Sequence, residues 1–185
     1  MEYTYTLIKS RRKTISLEIR GDELIVRAPN RTTKKEADAF VQKHASWIEK
    51  QRQKIADREE NCARVEKLTE EELKALAKQA AVYIPQRVEW YARRMGAQYG
   101  RITLRCQKTR WGSCSAKKNL NFNILLLLTP PEVIDSVVVH ELCHLREMNH
   151  SARFYELVYH YCPEYDKWNR WLRDNGALIM ARVKR

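Results

Sequence analysis

The tightest constraint on this chain is the stretch that opens at Thr129-Pro130-Pro131-Glu132 and continues through Val133, Ile134, Val137, Val138 and Leu145. Thr at a helix entry with Glu three residues later is a capping box, and proline suits the first helical position, where its missing N–H costs nothing. The pattern predicts a helix to about Met148, and His140-Glu141-Leu142-Cys143-His144 lies on it. Histidines four apart on a helix differ by about 6 Å of rise and about 40° of azimuth, so both imidazoles face one side. That spacing lets one zinc take two nitrogens at about 2.0–2.1 Å each. Glu141 is one step round the helix, close enough to meet a metal-bound water without becoming a ligand. Such a pattern therefore supplies two ligands and a general base, although it arises by chance in about one per cent of chains this long.

A third histidine raises the signal above chance. His150 follows the expected helix end, where the chain can fold back, and catalytic zinc takes three protein ligands with a fourth position open. His140, His144 and His150 complete that set. Metzincin proteases share this spacing but want Gly where Glu147 stands; Asn149, which tolerates left-handed geometry, is expected to make the turn instead. Cys143 falls on the far side of His140 from His144 and reads as a buried thiol, since a fourth protein ligand would leave no place for water.

The rest of the chain is α+β in pattern. Ile15, Leu17 and Ile19, then Leu24, Val26 and Ala28, alternate with polar residues across Gly21-Asp22, a hairpin signal. Tyr3, Tyr5 and Leu7 add a third strand, with Lys9 to Lys13 as its connecting turn. Capping boxes at Thr33-Glu36 and Thr69-Glu72 open two helices, the second expected to kink at Pro85 and to stop at Gly96. Arg58 to Lys67 has little to bury and reads as a linker or frayed end, which divides the chain into 1–67 and 68–185. Strands are expected again around Ile102–Leu104, Trp111–Cys114 and Leu120–Ile124, and helices after Ser151 and Pro163. His44 and His160, among apolar neighbours, read as structural; Tyr155, Tyr159 and Tyr161 include a candidate oxyanion donor.

Composition bounds the setting. The longest aliphatic run, Ile124–Leu128, is too short to cross a bilayer, and Met1–Tyr5 lacks the layout of an export signal. The 5 cysteines then read as reduced thiols in a cytoplasm. Net charge is +12, and Arg101 through Pro131 holds Arg101, Arg105, Lys108, Arg110, Lys117 and Lys118 with no acidic residue. If those strands line the cleft, its rim is positive and favours acidic peptides, nucleotides or nucleic acid. Lys117 and Lys118, in a turn, read more simply as a solvated edge, and Lys9, Arg11, Arg12 and Lys13 as an exposed basic turn.

Arg110-Trp111-Gly112-Ser113-Cys114, Asn119 to Asn123, His140 to His144, Asn149-His150-Ser151 and Phe154 together resemble the YgjP-like metallopeptidases, more distantly the SprT/Spartan proteases. The resemblance implies a zincin-like α+β fold, with a small antiparallel sheet on an active-site helix and an N-terminal hairpin-and-helix subdomain. It implies zinc on His140, His144 and His150, with Glu141 as acid and base. It also implies that residues 105–115 supply an edge strand for substrate, with Arg110 and Trp111 near the cleft; core packing is an equal reading for Trp111, and Gly112-Ser113 marks a bulge or close backbone approach. The leading expectation is a zinc-dependent peptidase acting on peptides or proteins. A nucleotide pyrophosphatase using the same metal is the alternative, and a nucleic-acid-binding module with structural zinc the third. The oligomeric state is left open.

Overall fold

The computed structural model describes residues 3–183; Met1 and Glu2, part of the N-terminal stretch read above, lie outside them. The chain divides into two compact units, Met1–Asn61 and Cys62–Arg185. The first holds strands β1 (Thr6–Ser10), β2 (Ser16–Arg20) and β3 (Glu23–Pro29), then helices α1 (Lys34–Lys43) and the start of α2 (Ala45–Arg64). Gly21 turns the β2–β3 hairpin at φ +55°, a conformation that costs glycine nothing. β3 is central, antiparallel to β2 and parallel to β1. Leu24, Val26, Ala37, Val41 and Ile48 form its core, with Tyr3, Tyr5, Leu7 and Leu17 packed round them.

Thr33 and Glu36 make the expected reciprocal cap on α1, but the helix breaks at His44, whose Nδ1 meets the Phe40 carbonyl at 2.8 Å. α2 then runs to Arg64, through residues expected as a linker. The stretch is rich in Arg, Glu and Ala, good helix formers, and Gln53 bonds Asp57 one turn on, so little burial is needed to keep it helical.

The second unit begins with α3 (Glu70–Met95), capped by the Thr69–Glu72 box, continuous through Pro85 and ended by Gly96 at φ +57°. Strands β4 (Ile102–Arg105), β5 (Gly112–Cys114) and β6 (Leu120–Asn123) follow in the order β4-β6-β5. The sheets are mixed rather than antiparallel throughout: β5 and β6 form a hairpin, while β4 fills the other side of β6 and runs parallel to it. A 3-10 helix, Ile124–Leu128, takes up the aliphatic run. α4 (Pro131–Cys143), α5 (Ala152–Tyr161) and α6 (Tyr165–Ala181) complete the unit.

α4 is its central element. Val133, Ile134, Val138, Val139 and Leu142 are all buried in one core with Ala80, Ile84 and Val88 of α3 and with Leu120 and Phe122 of β6. A helix apolar nearly all round must sit inside. Arg87 of α3 grips Asp135 of α4 through two 2.7 Å bonds, an Arg–carboxylate fork. The expected cap on α4 is absent. Pro131 disfavours helical geometry at Pro130, so the helix begins one residue later than the box requires, and the Thr129 hydroxyl donates to the Leu126 carbonyl at 2.7 Å instead. No helix among the described residues is long and apolar enough to cross a membrane.

Candidate metal centre

α4 delivers His140 and Glu141 from its last turn, and His144 closes it. The helix ends at Cys143 rather than near Met148, because Leu145, Arg146 and Glu147 donate back to the Leu142 and Cys143 carbonyls in tight turns. Asn149 is not left-handed: Lys118 is the one non-glycine residue with positive φ among those described. The Arg146 guanidinium instead ties this turn to the Met95 carbonyl at the end of α3. Ser151 then caps α5 through the Phe154 N–H, and the returning chain carries His150 to the other two histidines.

Their Nε2 atoms converge. His140 and His144 stand 3.2 Å apart there, and His140 and His150 also 3.2 Å; all three donor atoms lie within 4.8 Å of one another. Two nitrogens held tetrahedrally by one ion at about 2.0–2.1 Å sit about 3.3 Å apart, so the donor set fits a zinc-sized cation. Tautomers support the same reading. His144 Nδ1 lies 3.1 Å from the Glu147 carbonyl, which accepts only, so neutral His144 carries its proton there and turns a bare Nε2 to the centre. His140 Nδ1 meets the Tyr165 hydroxyl at 2.8 Å. Buried Phe154 packs against all three rings, with centroids 4.9, 4.6 and 4.8 Å away, and gives the cluster an apolar floor. Burial, then the neighbouring imidazoles, holds His140 down to about 4; burial also lowers His144. Both are therefore neutral, and able to ligate, at ordinary pH.

Glu141 is 5% exposed, and burial pushes its carboxyl up to about 8. It lies against β5 so closely that a Cβ on Gly112 would come within 2.7 Å of its Cγ and Oε1. The glycine is a close backbone approach, one of the two readings of Gly112-Ser113. β5 is an edge strand; on its inner side the Trp111 carbonyl accepts from Asn123 of β6 at 2.8 Å, and the Ser115 N–H donates to Asn119, just before β6, at 2.9 Å. Antiparallel alternation then turns the main-chain groups of Gly112 and Cys114 to the free edge beside Glu141.

A cavity of about 250 Å³ opens between these elements, lined by Arg110, Trp111, Gly112, His140, Glu141 and Tyr165 among others. Trp111 is half-buried and belongs to the packed core. Gly176 of α6 makes room for it, since a Cβ there would stand 2.9 Å from the indole. Arg110 is exposed on the rim, and of the basic residues from Arg101 to Lys118 it is the one lining this cavity. Cys143 is fully buried and its thiol pushed up to about 12, an inert packing group. His44 lies in the first unit, and His160 is exposed rather than core. Tyr155 and Tyr159 are exposed on α5, and neither they nor Tyr161 line the cavity. Two contributors escaped the sequence. Tyr165 needs α6 to pack on α4 before it meets His140, and no local pattern announces that. Buried Asn123 donates to the Gln107 and Arg110 carbonyls at 2.7 and 2.9 Å and shapes the loop before β5; its one local trace is its place in the Asn119–Asn123 stretch.

An α+β scaffold that gathers three imidazoles and a buried glutamate around one helix end has the layout of a metal-dependent hydrolase. The chain belongs to the YgjP-like metallopeptidase domain family, whose model matches residues 13–76 and 64–175. Among curated proteins it is similar to the UTP pyrophosphatase of Escherichia coli (strain K12), 33% identical over 58 residues. That match takes in 31% of this chain and 35% of the relative, so the chain spans about a third of that protein's length. Among solved structures it is similar to the metallopeptidase zymogen jannalysin of Methanocaldococcus jannaschii, with TM-score 0.45 and 21% identity over 50% of this chain and 95% of that one. The metallopeptidase zymogen abylysin of Pyrococcus abyssi is similar at TM-score 0.42 and 20% identity, over 49% and 93%.

Proposed function

We propose that this protein is a zinc-dependent peptidase, with the ion on His140, His144 and His150 and Glu141 as acid and base. The observation that carries the reading is the convergence of three Nε2 atoms beside one buried carboxyl. Zinc in that place supplies Lewis acidity, polarising a scissile carbonyl and acidifying water. The chain's own groups do the rest. Gly112 and Cys114 offer main-chain donors and acceptors to an extended substrate, as an added strand. Glu141 takes a proton from the attacking water and returns it to the leaving nitrogen. The Tyr165 hydroxyl and the Glu147 carbonyl hold two imidazoles in orientation from behind, the usual support of ligating histidines.

A second reading has its own support: part of the chain matches a protein named UTP pyrophosphatase, and Arg110 sits on the cavity rim where a phosphate would meet a guanidinium. One experiment separates the two. Zinc-loaded wild type and Glu141→Gln are given a quenched-fluorescent peptide library and, separately, UTP. The peptidase reading expects fragment release by wild type, lowered about 10²–10⁴-fold in the variant while zinc stoichiometry holds. Pyrophosphate release without peptide cleavage would replace that reading with the second, and undiminished activity of Glu141→Gln would remove Glu141 from either.

A further inference from the structure

The N-terminal unit carries a second chemical feature, independent of the metal. Because β1 and β3 run parallel, with Ser10 opposite Pro29, the loops that follow them leave the same end of the sheet. Those loops bring Arg11, Arg12, Lys13 and Arg31 together around a depression of about 500 Å³, with Ser10 and Asn30 beside them. Lys34 and Lys35 follow at the start of α1. Residues 3–17 and 24–35 contain no Asp or Glu. Glu36, which follows them, already caps α1 and is held below its ordinary range by the Thr33 backbone first, with Arg31 and Lys9 adding to it. Arg12 Nε is the one buried side-chain polar atom without a hydrogen-bond partner among the described residues. A donor withdrawn from water with no acceptor is costly unless something outside the chain supplies one.

We propose that this end of the sheet binds the phosphodiester backbone of nucleic acid. The depression would seat a phosphate on the orphaned Arg12 Nε–H, with the flanking cations along the neighbouring phosphates. Three of the four cations that line the depression are guanidinium groups, which fork onto phosphate oxygens. A lipid surface fits less well: the exposed large apolar residues are Trp47, Val82, Trp90, Met148, Tyr155 and Tyr159, none in these loops, so a membrane would find no anchor.

The test uses the full chain without zinc, so it stands whether or not the peptidase reading does. Fluorescein-labelled 20-nucleotide oligo(U) and oligo(dT) are titrated by anisotropy between 50 and 200 mM salt. Wild type is expected to bind with a steep salt slope, each neutralised phosphate adding about −0.7 for a single strand. Arg11→Ala/Arg12→Ala/Arg31→Ala should weaken binding at least tenfold and flatten the slope by about 2. Arg11→Ala/Arg31→Ala, which removes exposed side chains only, should do about two-thirds of this. Arg101→Ala/Arg105→Ala/Lys108→Ala, in the second unit, should stay within about twofold of wild type. Equal binding of both oligomers supports contact through phosphodiester alone, and preference for oligo(U) supports it with a 2′-hydroxyl contact added. No binding at 50 mM salt, an unchanged slope in both arginine variants, or equal displacement by polyglutamate would overturn it.

Discussion

A methyl group at position 112 has nowhere to go, because the space is filled by Glu141. Gly112→Ala is expected to push the carboxylate off its place on α4, with about 1–3 kcal/mol of overpacking strain. The variant should keep its zinc but lose at least about tenfold in peptide cleavage, given how sharply misplacement penalises a positioned group. Wild-type kcat/KM in that variant would show that Glu141 is not needed where it stands. The same carboxyl sets the pH response of the metal-free chain. Raised from 4.5 to about 8 by burial, it keeps its proton in the folded state where the unfolded chain has lost it. Its contribution is therefore fullest at low pH and is lost as pH climbs toward 8. His140, lowered from 6.5 to about 4, works the other way, but its contribution is already complete above 6.5. Between pH 6.5 and 8 the carboxyl acts against no displaced histidine, and the metal-free protein should lose on the order of 2 kcal/mol of stability. Thermal melts at the two pH values check this: wild type should soften, and Glu141→Gln should not.

At the scale of elements, what the sequence showed was what is local. Thr33–Glu36 and Thr69–Glu72 each complete a hydrogen-bonded cap within four residues, so their helices could be placed from the pattern alone. The Thr129 box failed for an equally local reason, the second proline, which moved the helix start by one residue. His140, Glu141 and His144 follow one another at the end of one helix and were legible as a candidate site; His150 was legible by spacing, although the turn that returns it is built from carbonyl bonds and Arg146 rather than from a left-handed Asn149. Contacts between elements left no such trace, as Tyr165 and Asn123 show. Each carries a prediction. Tyr165→Phe removes the hydroxyl behind His140 and should weaken zinc binding by about 10–100-fold, read by competition with a chromophoric chelator. Asn123→Ala strips hydrogen bonds from the loop before β5 and should cost about 3 kcal/mol in urea unfolding. Loss confined to m-value rather than midpoint would point to an altered unfolded state instead.

For the molecule as a whole, the two buried cores are built from separate stretches of chain. One draws on Leu24, Val26, Ala37, Val41 and Ile48, the other on residues from Leu68 to Leu172, and no buried residue among those described belongs to both. Cooperative unfolding follows shared burial, so the full chain is expected to melt in two transitions rather than one. The three histidines all lie in the second unit, so zinc should stabilise that transition alone. Free zinc at a hundred times its Kd adds about 2.7 kcal/mol to whatever it binds when folded. For a unit of this size that is a rise of about 10 °C in Tm. Calorimetry with and without chelator reads both consequences together. The larger transition should fall on chelation while the smaller stays fixed, and His144→Ala should resemble the chelated protein whether or not metal is added. A single transition that moves as a whole would mean that the two cores unfold as one, and the N-terminal unit would then sense the metal through its coupling to the second.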